Sequence, residues 1–493
     1  MTKLQNWPEW MKTTMSNWKK LHATSIPITF ITRVKEFIIP LFLSFFAGGA
    51  GSSFSFSRWL FPAILLSLFI YSVVYWLSFR YRMEDDELRI KQGILVKKNR
   101  FIRKDRVQSV DITTGIVHRL FGVCKVKIET AGGGTEPEVE LVSISLTEAE
   151  SLKRRLGNGE RTDDSKEEQE EEPFTSTFRY RVPGRLIVAS GLTSGKVGLV
   201  FSAAAALLSQ VDQFIPQQFY EKTVGTLVAF STAALIIIFL TIAVVAWGIS
   251  VIITFFQYGN FEISKTEQEL TIERGILERR QLTLQLERIT SVRYVTNPIR
   301  QLFGMWAIYV DSAGGGSKEE NLSTILLPLG TKKDISYVME HLLPEAQFPD
   351  HINKLPKVAA RRYIFRTSIL WWVLAVPFLF WVPNGWLYLL VPIFFTYFGW
   401  QRYKDSGCLF NDAHCILQTR HVNLSCNVLP KRRIQSLTNS QSLFQEPKKL
   451  YSLSAQILAT SGGKTFLIKD IDERQRDDAV DWYIGNLRSS KNE

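Results

Sequence analysis

Two kinds of pattern share this chain: long uninterrupted apolar blocks, and stretches in which apolar and polar positions alternate. Residues 37–57 contain no charged side chain, nor do 59–79, and Arg58 alone separates them. Roughly 20 apolar residues suffice to cross a bilayer, so this region reads as two helices joined by the turn Gly48-Gly49-Ala50-Gly51-Ser52-Ser53. A second pair covers about 197–211 and 223–257, with Asp212, Pro216 and Glu221 in the intervening turn. A third covers about 367–382 and 385–401, pivoting on Pro383-Asn384-Gly385. The block 223–257 would be about 52 Å long as one helix, so it must tilt or protrude. The expected fold class is therefore a multi-pass α-helical membrane protein, with six helices arranged as three hairpins.

Between the apolar blocks the period is two. Leu88 and Ile90 alternate with Arg89 and Lys91, and Val126 and Ile128 with Lys125 and Lys127. This predicts antiparallel strands with one wet face. Each stretch closes on a helical pattern, at about 147–156, 331–343 and 471–487, the first opening on a capping-box pair, Thr147 and Glu150. Three cytosolic β-sandwich or barrel domains, each closed by a C-terminal helix, are expected.

The alternating stretches repeat. Glu87-Leu88-Arg89-Ile90 followed by Gly93-Ile94-Leu95 recurs as Glu269-Leu270-Thr271-Ile272 followed by Gly275-Ile276-Leu277. The offset is 182 residues and holds without a gap through Arg106/Arg288, Leu120-Phe121-Gly122/Leu302-Phe303-Gly304 and Ala131-Gly132-Gly133-Gly134/Ala313-Gly314-Gly315-Gly316. A weaker third copy occupies about 402–490, where Arg433-Ile434-Gln435-Ser436-Leu437 matches Arg106-Val107-Gln108-Ser109-Val110, and Thr460-Ser461-Gly462-Gly463 answers Thr130-Ala131-Gly132-Gly133. There Pro447-Lys448-Lys449 takes the place of Leu-Phe-Gly, which predicts that any role of that turn stops at the second copy.

A hairpin leading into Leu-x-Ile-x-x-Gly-Ile-Leu, Arg-Val-Gln-Ser-Val, Leu-Phe-Gly and Thr-Ala-Gly-Gly resembles the bacterial pleckstrin-homology-like (PH-like) domain of the YdbS/YdbT membrane proteins. Three such units in tandem resemble the YdbT-type members, and the similarity covers all but residues 1–20 and 160–172. The resemblance implies a PH-like barrel at the bacterial plasma membrane, without implying phosphoinositide binding. It also implies a link to envelope stress and antimicrobial tolerance, and a smaller one-domain PH-like membrane protein as partner.

The organisation that follows is an N-terminal interfacial segment (1–36), hairpin 1 (37–79), PH-like domain 1 (80–157), an acidic linker (158–178), hairpin 2 (184–257), PH-like domain 2 (258–345), a linker (346–365), hairpin 3 (366–401) and PH-like domain 3 (402–490). Net charge is +12, yet the cations form no dense tract with interleaved aromatics, so nucleic acid is not an expected partner. They gather beside the apolar blocks: Lys19, Lys20, Arg33 and Lys35; Arg80 and Arg82; Arg179, Arg181 and Arg185; Arg361, Arg362 and Arg366; Arg402 with Lys404. These are the candidate contacts to lipid headgroups, membrane lipids being the expected partner. The outer loops hold only Arg58 and Lys222, which places both termini and all large soluble segments in the cytosol. Cys124, Cys408, Cys415 and Cys426 then lie where thiols stay reduced. The first apolar run begins too far from the N-terminus for a signal peptide. Trp7, Trp10, Met11, Trp18 and Leu21 share helical spacing, for an interfacial helix or for packing on the first domain.

Candidate chemistry is sparse. The Gly-rich turns at 132–134 and 314–316 lack the Lys-Ser/Thr of a phosphate loop and read as hairpin turns. Cys408, His414, Cys415, His421 and Cys426 fit no zinc spacing, and the adjacent His414 and Cys415 point to opposite faces of a strand. No nucleophile sits beside a base, so no catalytic residue, metal or cofactor is expected. Arg106, Arg288 and Arg433 recur at one position, where strand-end packing or an ion pair competes with a binding role. Glu160–Glu172 reads as a solvated acidic linker. Two functions remain: a non-enzymatic membrane scaffold for a partner protein and the anionic lipid surface, or a lipid or amphiphile transporter formed by the six-helix bundle. The latter is disfavoured in ion-coupled form by the lack of charge within the spans.

Overall fold

The structure, a computed structural model, describes residues 18–46, 54–84, 87–94, 96–130, 139–156, 177–194, 232–312, 324–381, 385–459 and 462–489. The three repeats form three β units. Unit one comprises β1 (Arg80–Glu84), β2 (Glu87–Gln92), β3 (Lys98–Arg103), β4 (Val107–Thr114), β5 (Val123–Thr130) and β6 (Val139–Ser145). β7 (Phe178–Arg181) precedes unit two, made of β8 (Glu262–Lys265), β9 (Glu269–Arg274), β10 (Arg279–Gln285), β11 (Ile289–Thr296), β12 (Met305–Ser312) and β13 (Thr324–Thr331). β14 (Asn353–Lys354) precedes unit three, made of β15 (Gly407–Phe410), β16 (His414–Arg420), β17 (Leu424–Pro430), β18 (Ile434–Ser440), β19 (Tyr451–Ala459) and β20 (Gly462–Ile471). In each unit two three-stranded antiparallel meanders face one another. In unit one Leu88, Ile90, Ile102, Val110, Val126, Ile128 and Leu141 fill the space between them. The repeated Gly-Ile opens the β2–β3 and β9–β10 turns. Gly93 and Gly275 have φ of +113° and +98°, and a Cβ there would meet a backbone carbonyl oxygen at 2.0 Å, so glycine is required.

The units are not beads. β4 of unit one pairs with β10 of unit two, giving one seven-stranded sheet in the order β6-β5-β4-β10-β9-β8-β7. β11 of unit two pairs with β17 of unit three in a second, β13-β12-β11-β17-β16-β15-β14. The register is the same at both joints. Thr114 opposes Arg279 at the first, and their repeat equivalents Thr296 and Leu424 oppose one another at the second. Three-stranded sheets remain at the ends, β1-β2-β3 and β18-β19-β20.

The helices are α1 (Ser25–Phe46), α2 (Phe54–Ser78), α3 (Ile116–Leu120), α4 (Leu146–Leu156), α5 (Gly184–Leu192), α6 (Thr232–Tyr258), α7 (Pro298–Leu302), α8 (Lys332–Leu342), α9 (Lys357–Trp381), α10 (Leu390–Lys404) and α11 (Glu473–Ser489). The closing helices α4, α8 and α11 follow β6, β13 and β20 as expected. α8 opens on a capping box of Thr331 and Asp334. In α4 the cap is Ser145, whose hydroxyl accepts from the Glu148 amide at 3.3 Å, rather than Thr147.

The expected six-helix, three-hairpin membrane architecture does not hold. Among the described residues two stretches are long and apolar enough to cross a membrane, Leu240–Tyr258 and Lys357–Phe380, with mean hydropathy 2.0 and 1.6, and Pro62–Ser78 is a shorter apolar segment. The reasons are physical. α1 starts well before the apolar block and carries Arg33, Lys35 and Glu36 through its middle. α10 has 15 residues, about 22 Å, against a hydrocarbon core of about 30 Å. The expected span 197–211, the acidic run and the Gly-rich turns lie outside the described residues. A transporter formed by a six-helix bundle loses its premise with that bundle. At the N-terminal end, Trp18–Leu21 is extended rather than helical. Lys19 bridges Tyr81 through both backbone groups, at 2.8 and 3.0 Å, and Leu21 enters the unit-one core.

Candidate functional site

Each unit grips the helix that precedes it through its last strand. In unit one the Thr24 hydroxyl lies 2.7 Å from that of Ser143 on β6, and the His22 amide donates to the Ser143 carbonyl at 2.9 Å. In unit two the Ser190 hydroxyl of α5 donates to the Pro328 carbonyl on β13 at 3.4 Å. α5 also lies against α6, where a Cβ on Gly191 would sit 3.3 Å from Val251 and Thr254. Unit three has the strongest grip. Asp470 on β20 is fully buried, and its two oxygens accept from Arg362 at 2.8 Å and Arg366 at 2.6 Å, both on α9. Gln445 adds a third donor at 2.9 Å. The two arginines precede the long apolar face of α9, on which Leu370, Val373, Leu374 and Phe380 are exposed.

Beside each grip projects an apolar turn. Leu120 and Phe121, in the β4–β5 turn, are 80% and 50% exposed; Leu302 and Phe303, in the β11–β12 turn, 85% and 65%. Unit three departs from expectation. Leu443 and Phe444 occupy its β18–β19 turn at 83% and 82% exposure, so the Leu-Phe pair is present four residues before the position at which an ungapped alignment seeks it. All three tips adjoin their unit's preceding helix. The Phe444 carbonyl accepts from Arg362 at 2.5 Å. Arg300 of α7 donates to the Thr193 hydroxyl at 2.9 Å, and Asn297, which caps α7, donates to the Thr193 carbonyl at 2.6 Å. His118 of α3 shares a cleft of about 350 Å³ with Ile28, Thr29 and Thr32 of α1. Two exposed large apolar residues on one tip gain about 1.5–3 kcal/mol each when fully buried.

The basic candidates divide by engagement. Lys19 pairs with Glu148 at 2.5 Å, Arg33 with Glu36 at 2.7 Å, Arg82 with Glu84 at 2.7 Å and Arg179 with Glu262 at 3.0 Å. Lys20 lies over the Trp76 ring, and Arg181 donates to Asn260 at 3.2 Å. Arg362 and Arg366 hold Asp470, and Arg402 donates to the Arg420 carbonyl at 2.9 Å. Lys35, Arg185 and Arg361 are exposed and Arg80 half-buried, without an ion-pair partner among the described residues.

Each joint, besides its apolar strand pairs, buries a cluster of charged groups. Arg280 on β10 donates through Nη2 and Nε to one oxygen of Asp111 on β4, at 2.5 and 2.8 Å. At the second joint Asp311 on β12 is fully buried against Lys464 of unit three at 2.7 Å, Arg293 at 3.3 Å and the Ser291 hydroxyl at 2.6 Å. Burial alone would push the Asp311 carboxyl up, but Arg293 and Lys464 outweigh it and hold it below the ordinary carboxylate range. Burial in turn pulls the Lys464 ammonium down, so Asp311 is the member the cluster favours. A carboxyl with a depressed folded pKa stabilises above its unfolded value, about 3.9, and loses that contribution as pH falls toward the folded value. Asp311→Asn should therefore lower the unfolding midpoint at neutral pH, and the gap to the parent chain should narrow below about pH 4. Thermal scans across that range check it.

The recurring arginines meet at these joints. Arg288 donates to the Asp105 carbonyl of unit one at 3.0 Å, and Arg433 donates to the Glu287 carbonyl of unit two, the equivalent acceptor. The repeat revealed the position. It could not reveal that the acceptor is backbone, which leaves no mark in sequence.

The Cys/His group does not converge. Cys408 and Cys415 lie in the unit-three core, whereas Cys426 faces the unit-two core across the same sheet. Burial pushes the Cys408 and Cys426 thiols up to about 12, leaving them protonated at neutral pH and poor as nucleophiles or ligands. Alkylation of all four native cysteines should be negligible in the folded chain and complete on unfolding, as mass spectrometry after maleimide treatment would show.

Residues 34–160 and 222–346 match the family model described as "Bacterial PH domain". Over 485 residues, 95% of this chain and 98% of the relative, the chain is 32% identical to "UPF0699 transmembrane protein YdbT" of Bacillus subtilis (strain 168).

Proposed function

The chain belongs to the bacterial PH-domain family of YdbS/YdbT-type proteins, and from that premise we propose that it is a non-enzymatic scaffold anchored in the bacterial plasma membrane. Leu240–Tyr258 and Lys357–Phe380 supply the anchoring spans, and the B. subtilis relative is named a transmembrane protein. The three β units lie on the cytosolic face, where basic residues accumulate. The observation that carries this reading is the recurrence of an exposed Leu-Phe tip at the foot of the preceding helix in every unit. A soluble assembly gains nothing from three such pairs in water. A leaflet surface accepts them, with the apolar pair entering the interface and neighbouring cations meeting headgroups.

The unpaired cations Lys35, Arg185 and Arg361 fit the headgroup role, at about 1 kcal/mol each near an anionic surface. Arg179, Arg362 and Arg366 serve the same surface only by exchanging an internal carboxylate for a lipid phosphate. Full-length protein in nanodiscs of anionic lipid should show slower amide exchange at 116–121 and 299–303 than in zwitterionic ones at low salt. The difference should shrink several-fold in the Arg185→Ala/Arg361→Ala variant and in high salt. Equal exchange in both lipids would remove headgroup binding from the reading.

A further inference from the structure

The two joints inside the chain are one joint used twice. In both, the third strand of the following unit adds to the fourth strand of the preceding one in the same register, and an arginine of the following unit donates to the same carbonyl position of the preceding one. Each unit therefore has a donor side, made of its third strand and this arginine, and an acceptor side, made of its fourth strand. Unit two uses both. Unit one uses only its acceptor side and unit three only its donor side. Two halves of this joint are left over, on opposite ends of one chain.

The leftovers keep the features of the joint. Among the described residues β3 pairs only with β2, and β18 only with β19. Phe101, at the centre of β3, is 61% exposed, whereas its equivalents Thr283 and Val428 are buried within the joints. Arg106, the third member of the arginine series, is exposed and has no partner among the described residues. On β18 the bond from Ser436 to Gln456, at 3.3 Å, repeats those from Ser109 to Glu129 at 3.0 Å and from Ser291 to Asp311 at 2.6 Å. Lys97 and Lys98 do not bar pairing, because Arg279 and Arg280 occupy those positions in the first joint and are paired.

We propose that β3 and Arg106 of one chain close on β18 of a second copy, repeating the internal joint between molecules. The occupant is a second copy because both complementary halves lie on this chain. The contact is heterologous, so it propagates head to tail into a ring or a filament along the membrane. The internal register places Phe101 opposite Leu437 and Lys98 opposite Ser440, with Arg106 donating to the Arg432 carbonyl of the second copy. This proposal stands on strand pairing and is independent of headgroup binding.

Disulfide trapping in isolated membranes tests it, using two differently tagged full-length chains, one Phe101→Cys and the other Leu437→Cys. Both substitutions lie on strand edges that are unpaired among the described residues, Leu437 being partly buried against the unit-three core, and the native cysteines are buried. Mild oxidation should give a thiol-reversible product carrying both tags, at twice the chain mass. Its yield should exceed several-fold that of the off-register pair Phe101→Cys with Ser440→Cys. Yields no higher than in the single-cysteine controls, or equal for the two registers, would overturn the proposal. So would a product of Leu437→Cys with a smaller protein, which would give that edge another occupant. Native mass spectrometry of the unsubstituted chain is a second route that needs no cysteine variant. Multiples of the chain mass are expected, with Arg106→Glu weakening them roughly tenfold, the effect of one lost charge-assisted bond; a monomer throughout would overturn the proposal.

Discussion

Replacing Arg362 and Arg366 together by alanine should destabilise the third unit by about 3–5 kcal/mol, because it strands the fully buried carboxylate of Asp470 with Gln445 as its one remaining side-chain donor among the described residues. The single variants should cost much less than half each. Either guanidinium alone still neutralises the charge, and Arg366 is exposed enough for solvent to screen its share, leaving about 1 kcal/mol for its loss. Adding Asp470→Asn to the double variant should recover part of the stability, because it removes the stranded charge and tolerates the left-handed backbone at this position, φ +62°. Denaturant titration followed by proteolysis within 407–471 provides the readout. A purely additive double variant would mean that Asp470 is not the shared centre. The consequence reaches beyond unit three, since this cluster ties the soluble unit to α9.

The second large effect is expected at the first joint. Arg280→Ala removes the cation paired with Asp111, 4% exposed in the middle of a seven-stranded sheet, and leaves it the Thr113 hydroxyl at 3.4 Å and the charge of Arg274. Loss of about 3 kcal/mol follows for a pair of this burial, equivalent to roughly a hundredfold in the opening equilibrium. Amide exchange along β4 and β10 should accelerate by that factor, while β18–β20, remote from the joint, should not change. Uniform acceleration would indicate global loss of stability, and an unchanged β4 would mean the joint does not depend on the pair.

Much of this architecture was legible in the sequence, and the boundary of legibility has physical causes. The offset of 182 residues located the units, and period two located their strands, because side chains report which face of a strand is buried. Strand edges leave no such report. Main-chain groups make the joints, so nothing in Val107–Thr114 or Arg279–Gln285 announced that these strands pair. Asp470 was invisible for a related reason: it is one carboxylate among many, and only the fold brings it to two arginines more than a hundred residues away. The tip of unit three is hidden from an ungapped comparison of the repeats, because the β18–β19 turn holds its Leu-Phe pair four residues earlier. Absence of charge alone overcounts the spans, because start point and length also decide, as α1 and α10 show.

Three Leu-Phe tips resting in one leaflet can be read out with a nitroxide attached in turn to Phe121→Cys, Phe303→Cys and Phe444→Cys in the full-length chain reconstituted in bilayers, the native cysteines being buried. Collision with dissolved oxygen should exceed collision with a water-soluble nickel chelate at all three sites, to a similar degree, placing the tips at a common interfacial depth. Chelate-dominated, water-like spectra at the three sites would contradict the account and return the tips to the aqueous phase.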